Sequence, residues 1–174
     1  VPAAYQSQSS GMMPMMMQEA LPMGHAFDVM TVKVAREDAQ RGAYTLPSAF
    51  SPVPRLKIGD AINAARPRTF EIDHVMMNWR INGKQWEGDI AAPEEQVKLN
   101  TTEVWEFVNK INLKEMMDPM GMAHPIHIHG VQFQVIERKL AVPELQSGYD
   151  TVRAGFMDEG LKDSFLLMPS ERVK

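Results

Sequence analysis

The apolar positions divide the chain unevenly. Residues 1–18 are polar, methionine-rich and aperiodic, which is the pattern of a loop. Between Gly24 and Val34, Phe27, Val29 and Thr31 alternate with Asp28, Met30 and Val32, the two-residue period of a strand. Residues 35–66 carry charges and then Pro47, Pro52 and Pro54. That composition suits a linker with a short helical turn near 35–41, and a domain boundary is expected there. From Arg68 onward, strand-like runs alternate with turn signals: Thr69–Asp73, Trp79–Asn82, Val97–Leu99, Glu103–Asn109, Ile126–Arg138 and Ser164–Met168. Asn82–Gly83 is a strong two-residue hairpin turn. No segment longer than a few turns has helical periodicity, and no internal repeat is present. Many short strands punctuated by Gly and Pro predict an all-β sandwich or barrel.

At 174 residues the chain can form one domain with a core, or one domain plus a piece of another. No apolar run is long enough to span a membrane. The net charge of -4 leaves no basic footprint for nucleic acid. There is no cysteine, which excludes disulfides, thiolate metal sites and cysteine nucleophiles within this chain but says nothing of compartment. The 15 methionines cluster at Met12, Met13, Met15, Met16 and Met17, and again at Met116, Met117, Met120 and Met122. Thioethers can serve as flexible filler or as ligands for a soft ion such as Cu(I). The first cluster, beside a run of Ser and Gln, reads as filler. The chain starts at Val1 without a signal-peptide pattern and stops at Lys174 in a strand-like segment. It is therefore expected to be a piece of a longer protein, with any localisation signal upstream.

The chemistry concentrates in residues 116–138. Successive side chains of a strand point to opposite faces, so His127 and His129 share a face, while His124 has the other parity and is set apart by Pro125. At a rise of about 3.3 Å per residue, the segment can give two ligands to one site and one to another roughly 10 Å away. Ile126 and Ile128 face away from the histidine pair. Beyond Gly130 the apolar set becomes Val131, Phe133 and Val135, with Gln132 and Gln134 polar, and a bulge or bend at Gly130 would produce the switch. A single buried histidine is usually a hydrogen-bonded core residue. Three within six residues, of five in the chain, point instead to metal ligation, and imidazole suits Cu, Zn, Fe and Ni. The His-x-His of the cupin fold is followed shortly by a glutamate ligand; here the next acid is Glu137, too far along.

The run from His124 to Gly130, with Gln132–Ile136 and Arg138, resembles the first copper motif of the C-terminal cupredoxin domain of multicopper oxidases. Trp79–Gly83 is similar to the segment that opens this domain, and Glu103–Asn109 to the strand before the histidines. Leu161–Ser164 and Pro169–Glu171 resemble the run toward the second copper motif. The similarity covers about residues 67–174; more weakly, Leu21–Val34 resembles the closing strand of a preceding domain. Within that family the chain looks like bacterial laccases of the spore-coat type and cuprous oxidases.

This resemblance implies an antiparallel, cupredoxin-like Greek-key β-sandwich, truncated before its last strands. Residues 1–34 would be the tail of the preceding cupredoxin domain with a Met-rich loop, 35–66 a linker and 67–174 the incomplete C-terminal domain. His124 would bind type 1 copper, His127 type 2 copper and His129 one type 3 copper. Electrons from a phenol, an aromatic amine, a bilirubin-like pigment or Cu(I) would enter at type 1 copper and reach the trinuclear type 2/type 3 cluster, where O₂ is reduced to water. The partners implied are the N-terminal cupredoxin domains and a downstream HCH segment that carries the type 1 cysteine. The location implied is exported, periplasmic or otherwise extracytoplasmic. Three histidines are a minority of the ligands required, so the isolated chain is expected to be inactive. The alternative is a non-catalytic copper-binding or structural cupredoxin module.

Asp118, Met120 and Met122 lie just before His124. In cuprous oxidases, acidic and methionine side chains on this approach guide Cu(I) to the type 1 centre. Met122 matches such a position, Met120 stands where an acid is expected, and Asp118 is displaced by two. The alternative is a plain hydrophobic loop. His25 and His74 lack ligand spacing and read as structural or surface groups. Asn100–Thr102 is a glycosylation sequon of a kind common by chance. Glu94 and Glu95 read as a solvated turn. No Ser, His and acid grouping suggests a hydrolase, and no Gly-rich phosphate loop is present.

Overall fold

The computed structural model describes residues 28, 30–34, 45–49, 51–75, 78–85, 88, 91–110 and 122–174. His25, Asp118, Met120, both methionine clusters up to Met120 and the helical turn expected near 35–41 lie outside the described residues.

The longest strand, β1 (Arg68–Val75), pairs antiparallel with β2 (Asn78–Ile81). After β2 the chain reverses through Asn82 and Gly83, with φ of 53° and 73°, as the sequence predicts for a hairpin turn. The turn is stitched to β1. The Asn82 side chain accepts from the Glu71 amide at 2.8 Å and donates to the Thr69 carbonyl at 3.0 Å.

On its other side β1 pairs with β3 (Trp105–Asn109), and this pair is parallel, from Arg68 opposite Trp105 to Ile72 opposite Asn109. The expectation of an antiparallel sandwich is corrected here: the sheet is mixed. A parallel pair needs a crossover of a dozen or more residues, and the stretch between Asn82 and Val104 provides it. The strand expected at Val97–Leu99 does not form within that crossover. Leu99 is 84% exposed, and the segment has no ladder partner among the described residues. The strand expected between Gly24 and Val34 is likewise not seen at 30–34, where Met30, Val32 and Val34 are exposed.

The run Ile126–Arg138 is not one strand. It starts as β4 (His124–His127) and is followed in the chain by β5 (Arg138–Leu140), β6 (Ser164–Leu167) and β7 (Glu171–Val173). β4 pairs antiparallel with β6 in a two-stranded sheet. β5 pairs with β7, which completes a five-stranded sheet in the order β2-β1-β3-β7-β5. Between β4 and β5 the chain turns at Gly130, φ 77°, and leaves one sheet for the other. Such corners are a normal way to close a sandwich. The core lies between the sheets: Ile72, Val135, Leu167 and Val173, with Phe107, Ile126, Phe133 and Phe165 packed around them. Phe165 joins the layers, with ring centroids 5.4 Å from Phe107 and 5.7 Å from Phe133.

Two features escape the alternating pattern. Gln134 is buried, contrary to its place on the expected polar face. It accepts from the Leu56 amide and donates to the Pro54 carbonyl, so part of the Pro-rich segment lies against the sandwich. A short helix, α1 (Gln146–Arg153), is held from below by a buried cluster. The Glu171 carboxylate, fully buried, accepts from the Tyr149 hydroxyl at 2.5 Å, the Met168 amide at 2.8 Å and Arg138 at 3.1 Å. Arg138 also reaches Asp158, which pairs with Arg153 of α1. Burial, and then the bond to Glu171, push the Tyr149 hydroxyl far above the ordinary phenol range.

Candidate metal centre

β4 and β6 place the histidines. His127 lies opposite Ser164 in the ladder, and the Ile128 amide donates to the Asp163 carbonyl at 3.1 Å, extending the pairing one residue past the strand. With the backbone still extended through Ile128, the side chains on either side of it emerge together. The rings of His127 and His129 are 4.8 Å apart, edge to face. Both are exposed, and with Gly130, Gln132 and Asp163 they line a cleft of about 560 Å³. Ile126 turns the other way, into the core.

The His127 ring is fixed on one edge. Its Nδ1 lies 2.9 Å from the Asp163 carbonyl oxygen and 2.8 Å from Ser164 Oγ. Sequence reasoning did not single out these two neighbours as partners of His127. They lie 36 and 37 positions away, and only the β4–β6 register brings them to it.

His124 begins β4 in a different setting. It is half-buried, and its ring meets that of Trp79 edge-on at 5.1 Å. The segment leading to it is anchored where Asn109 donates to the Met122 carbonyl at 2.7 Å, and the Met122 side chain is exposed. Of the three residues expected on the approach to His124, Met122 alone is described. His74 lies in β1, opposite Trp79 in the ladder. Glu94 forms an exposed ion pair with Lys84, which holds its carboxyl below the usual range, and Glu95 caps its own turn by accepting from the Ala92 amide.

Chemically, the donor set suits copper as far as it goes. Two adjacent imidazoles face one cleft and a third lies apart, and imidazole nitrogen is a good ligand for that ion. Among the described residues, no three His, Asp or Glu side chains gather as a complete ion site would require. The chain has no cysteine to offer a thiolate. No helix of the described residues is long and apolar enough to cross a membrane.

The family profile described as multicopper oxidase matches residues 61–174. A laccase of Bacillus stratosphericus is 31% identical over 117 residues, covering 64% of this chain and 20% of the laccase. A bilirubin oxidase of Albifimbria verrucaria is 30% identical over 145 residues, covering 83% of this chain and 22% of that enzyme. The crystal structure of the McoA multicopper oxidase from the hyperthermophile Aquifex aeolicus shares 27% identity, covers 74% of this chain and 25% of that one, and superposes with a TM-score of 0.45. The chain thus spans about a fifth of the length of the laccase and the bilirubin oxidase. With its histidines on a β-sandwich and most of its length matched by the profile, the chain belongs to the multicopper oxidase family.

Proposed function

We propose that this chain is the C-terminal cupredoxin portion of a copper-dependent oxidase, with residues 67–174 as the domain, 35–66 as a linker and 1–34 as the tail of a preceding domain. In this reading His124 is a type 1 ligand, His127 a type 2 ligand and His129 a type 3 ligand. The observation that supports it most is the separation of the histidines, with two rings 4.8 Å apart on an open cleft and the third held against Trp79. Copper, when bound, supplies the one-electron chemistry that links donor oxidation to the reduction of O₂ to water. The protein's part is to fix ligand geometry. The β4–β6 ladder aims the His127 and His129 imidazoles into one cleft, and Trp79 packs the His124 ring beneath a partly exposed indole. The donors proposed are small phenols, aromatic amines, bilirubin-like pigments or Cu(I), with the exposed Met122 thioether as a soft contact for Cu(I). The partners proposed are the N-terminal cupredoxin domains and a segment bearing HCH, in an exported, extracytoplasmic protein. A second reading, a non-catalytic copper-binding module, is favoured by the donor set of the chain itself: two neighbouring imidazoles and no thiol.

The test uses the 174-residue chain alone and joined to those missing parts. The intense blue band comes from a Cys sulfur bound to Cu(II), so the chain alone, loaded with Cu(II), should show no such band and take up no O₂ with a phenol. Both should appear in the complete protein. A blue, O₂-consuming chain of this length would refute the assignment. A complete protein that binds copper without oxidase activity would favour the second reading.

A further inference from the structure

We infer that Ser164 is a positioning residue for His127. Together with the Asp163 carbonyl, it holds the ring with Nδ1–H turned to β6, which in the neutral imidazole leaves Nε2 as the bare nitrogen. The inference rests on the metal-site reading above and adds to it the group that presets one ligand.

The argument starts from the carbonyl. An imidazole nitrogen within hydrogen-bond reach of another group either donates a proton or accepts one, and a backbone carbonyl can only accept. At 2.9 Å from the Asp163 oxygen, a bare Nδ1 would set one lone pair against another. Nδ1 must therefore carry the proton. Ser164 Oγ, at 2.8 Å, can act either way, and with Nδ1–H fixed by the carbonyl it becomes a second acceptor for the same proton. The two acceptors come from adjacent residues, and their positions are set by the backbone. Asp163 is tied to β4 by the bond from the Ile128 amide at 3.1 Å, and Ser164 is the ladder partner of His127. Two contacts on one nitrogen also fix rotation of the ring, which a single contact would not.

Consequences for an ion follow directly. A metal binds the unprotonated nitrogen, and ligating histidines are commonly oriented by a partner on the other ring nitrogen. With Nδ1 committed to β6, Nε2 is left as the donor of His127. It shares its cleft with the His129 ring, 4.8 Å away between centroids. No rotation of the His127 ring is then needed before an ion is held.

The test uses the full 174-residue chain and Zn(II), a diamagnetic stand-in that also takes imidazole nitrogen. Long-range ¹⁵N–¹H correlation spectra of the metal-free chain should show His127 protonated at Nδ1 and bare at Nε2. Ser164→Ala should keep the proton on Nδ1, where the Asp163 carbonyl holds it, but free the ring to rotate, and should weaken Zn(II) binding by about tenfold. Ser164→Thr, which keeps the hydroxyl and suits a strand, should bind as the parent does. A purely structural role would shift the unfolding midpoint of Ser164→Ala and leave its Zn(II) affinity unchanged. A parent chain with bare Nδ1 overturns the proposal. So does a Ser164→Ala chain with unchanged Zn(II) affinity while His129→Ala loses it; the metal site would then stand without Ser164 as its positioner. If the parent and His129→Ala bind Zn(II) alike, the histidine pair is no ion site, and both readings fall.

Discussion

Replacing Glu171 with Leu should be among the most damaging single changes in the sandwich. The Glu171 side chain is fully buried, and its principal partner Arg138 is 4% exposed. Leucine removes the acceptor for three donors at once: the Tyr149 hydroxyl, the Met168 amide and the Arg138 guanidinium. Breaking a buried ion pair from one side costs about 3–5 kcal/mol, because the surviving charge stays buried. Asp158, still bonded to Arg138 at 3.0 Å, keeps the expected loss at the lower end, about 3 kcal/mol. At roughly 2–4 °C per kcal/mol for a chain of this size, the melting temperature should fall on the order of 10 °C. Glu171→Gln should cost less. Its amide can donate to the Tyr149 oxygen while its carbonyl still accepts from Met168, so the charge is lost and most of the bonding kept. Urea unfolding followed by far-UV circular dichroism would rank the parent, Gln and Leu chains. A Leu chain within about 1 kcal/mol of the parent, or one more stable than Gln, would refute the claim that this carboxylate holds α1 and β5 to the sandwich.

Other expectations concern pH and the methionines. The Tyr149 hydroxyl titrates far above its ordinary value of 10.0, so the fold holds a proton that the unfolded chain releases first, and stability should fall as pH rises past 10.0. Tyr149→Phe should flatten that alkaline limb; an unchanged limb would exclude Tyr149 as its source. Replacing Met120 and Met122 together with Leu nearly conserves volume and should cost under about 1.5 kcal/mol. In the complete oxidase it should lower activity on Cu(I) more than on a bulky phenol, and equal losses would count against the thioethers as a Cu(I) path.

How far the sequence could be read depended on the range of the interactions. The Asn82–Gly83 turn was legible because both positive φ angles are a local property of those two residues. β3 and β6 were legible because each is a short run bounded by turn signals. The histidine pair was legible because a two-residue spacing needs only an extended backbone. The run from Ile126 to Arg138 misled because apolar residues continue through a segment that changes sheets, and a hydrophobic pattern does not say which sheet receives it. The Gly130 switch was the available sign. Helix α1, eight residues long, is too short for a period, and the cluster that holds it joins Tyr149, Arg138 and Glu171 through positions 22 and 33 apart. The same distance in sequence hid Ser164 and Asp163 from His127.

Among the described residues, β4 and β6 hydrogen-bond in regular ladder only to each other. A lone two-stranded ribbon is marginal in water, so this one persists through its packing, chiefly Ile126, Phe165 and Leu167 against the larger sheet. The histidine pair therefore rides on a short ribbon apart from the larger sheet. Local opening should visit this ribbon at a free energy well below global unfolding, and its amides should exchange with solvent hydrogen before those of β1 and β3. An ion held across His127 and His129 would then act as a clasp on that opening. The ion would slow exchange at the ribbon's amides and leave those of the larger sheet unchanged.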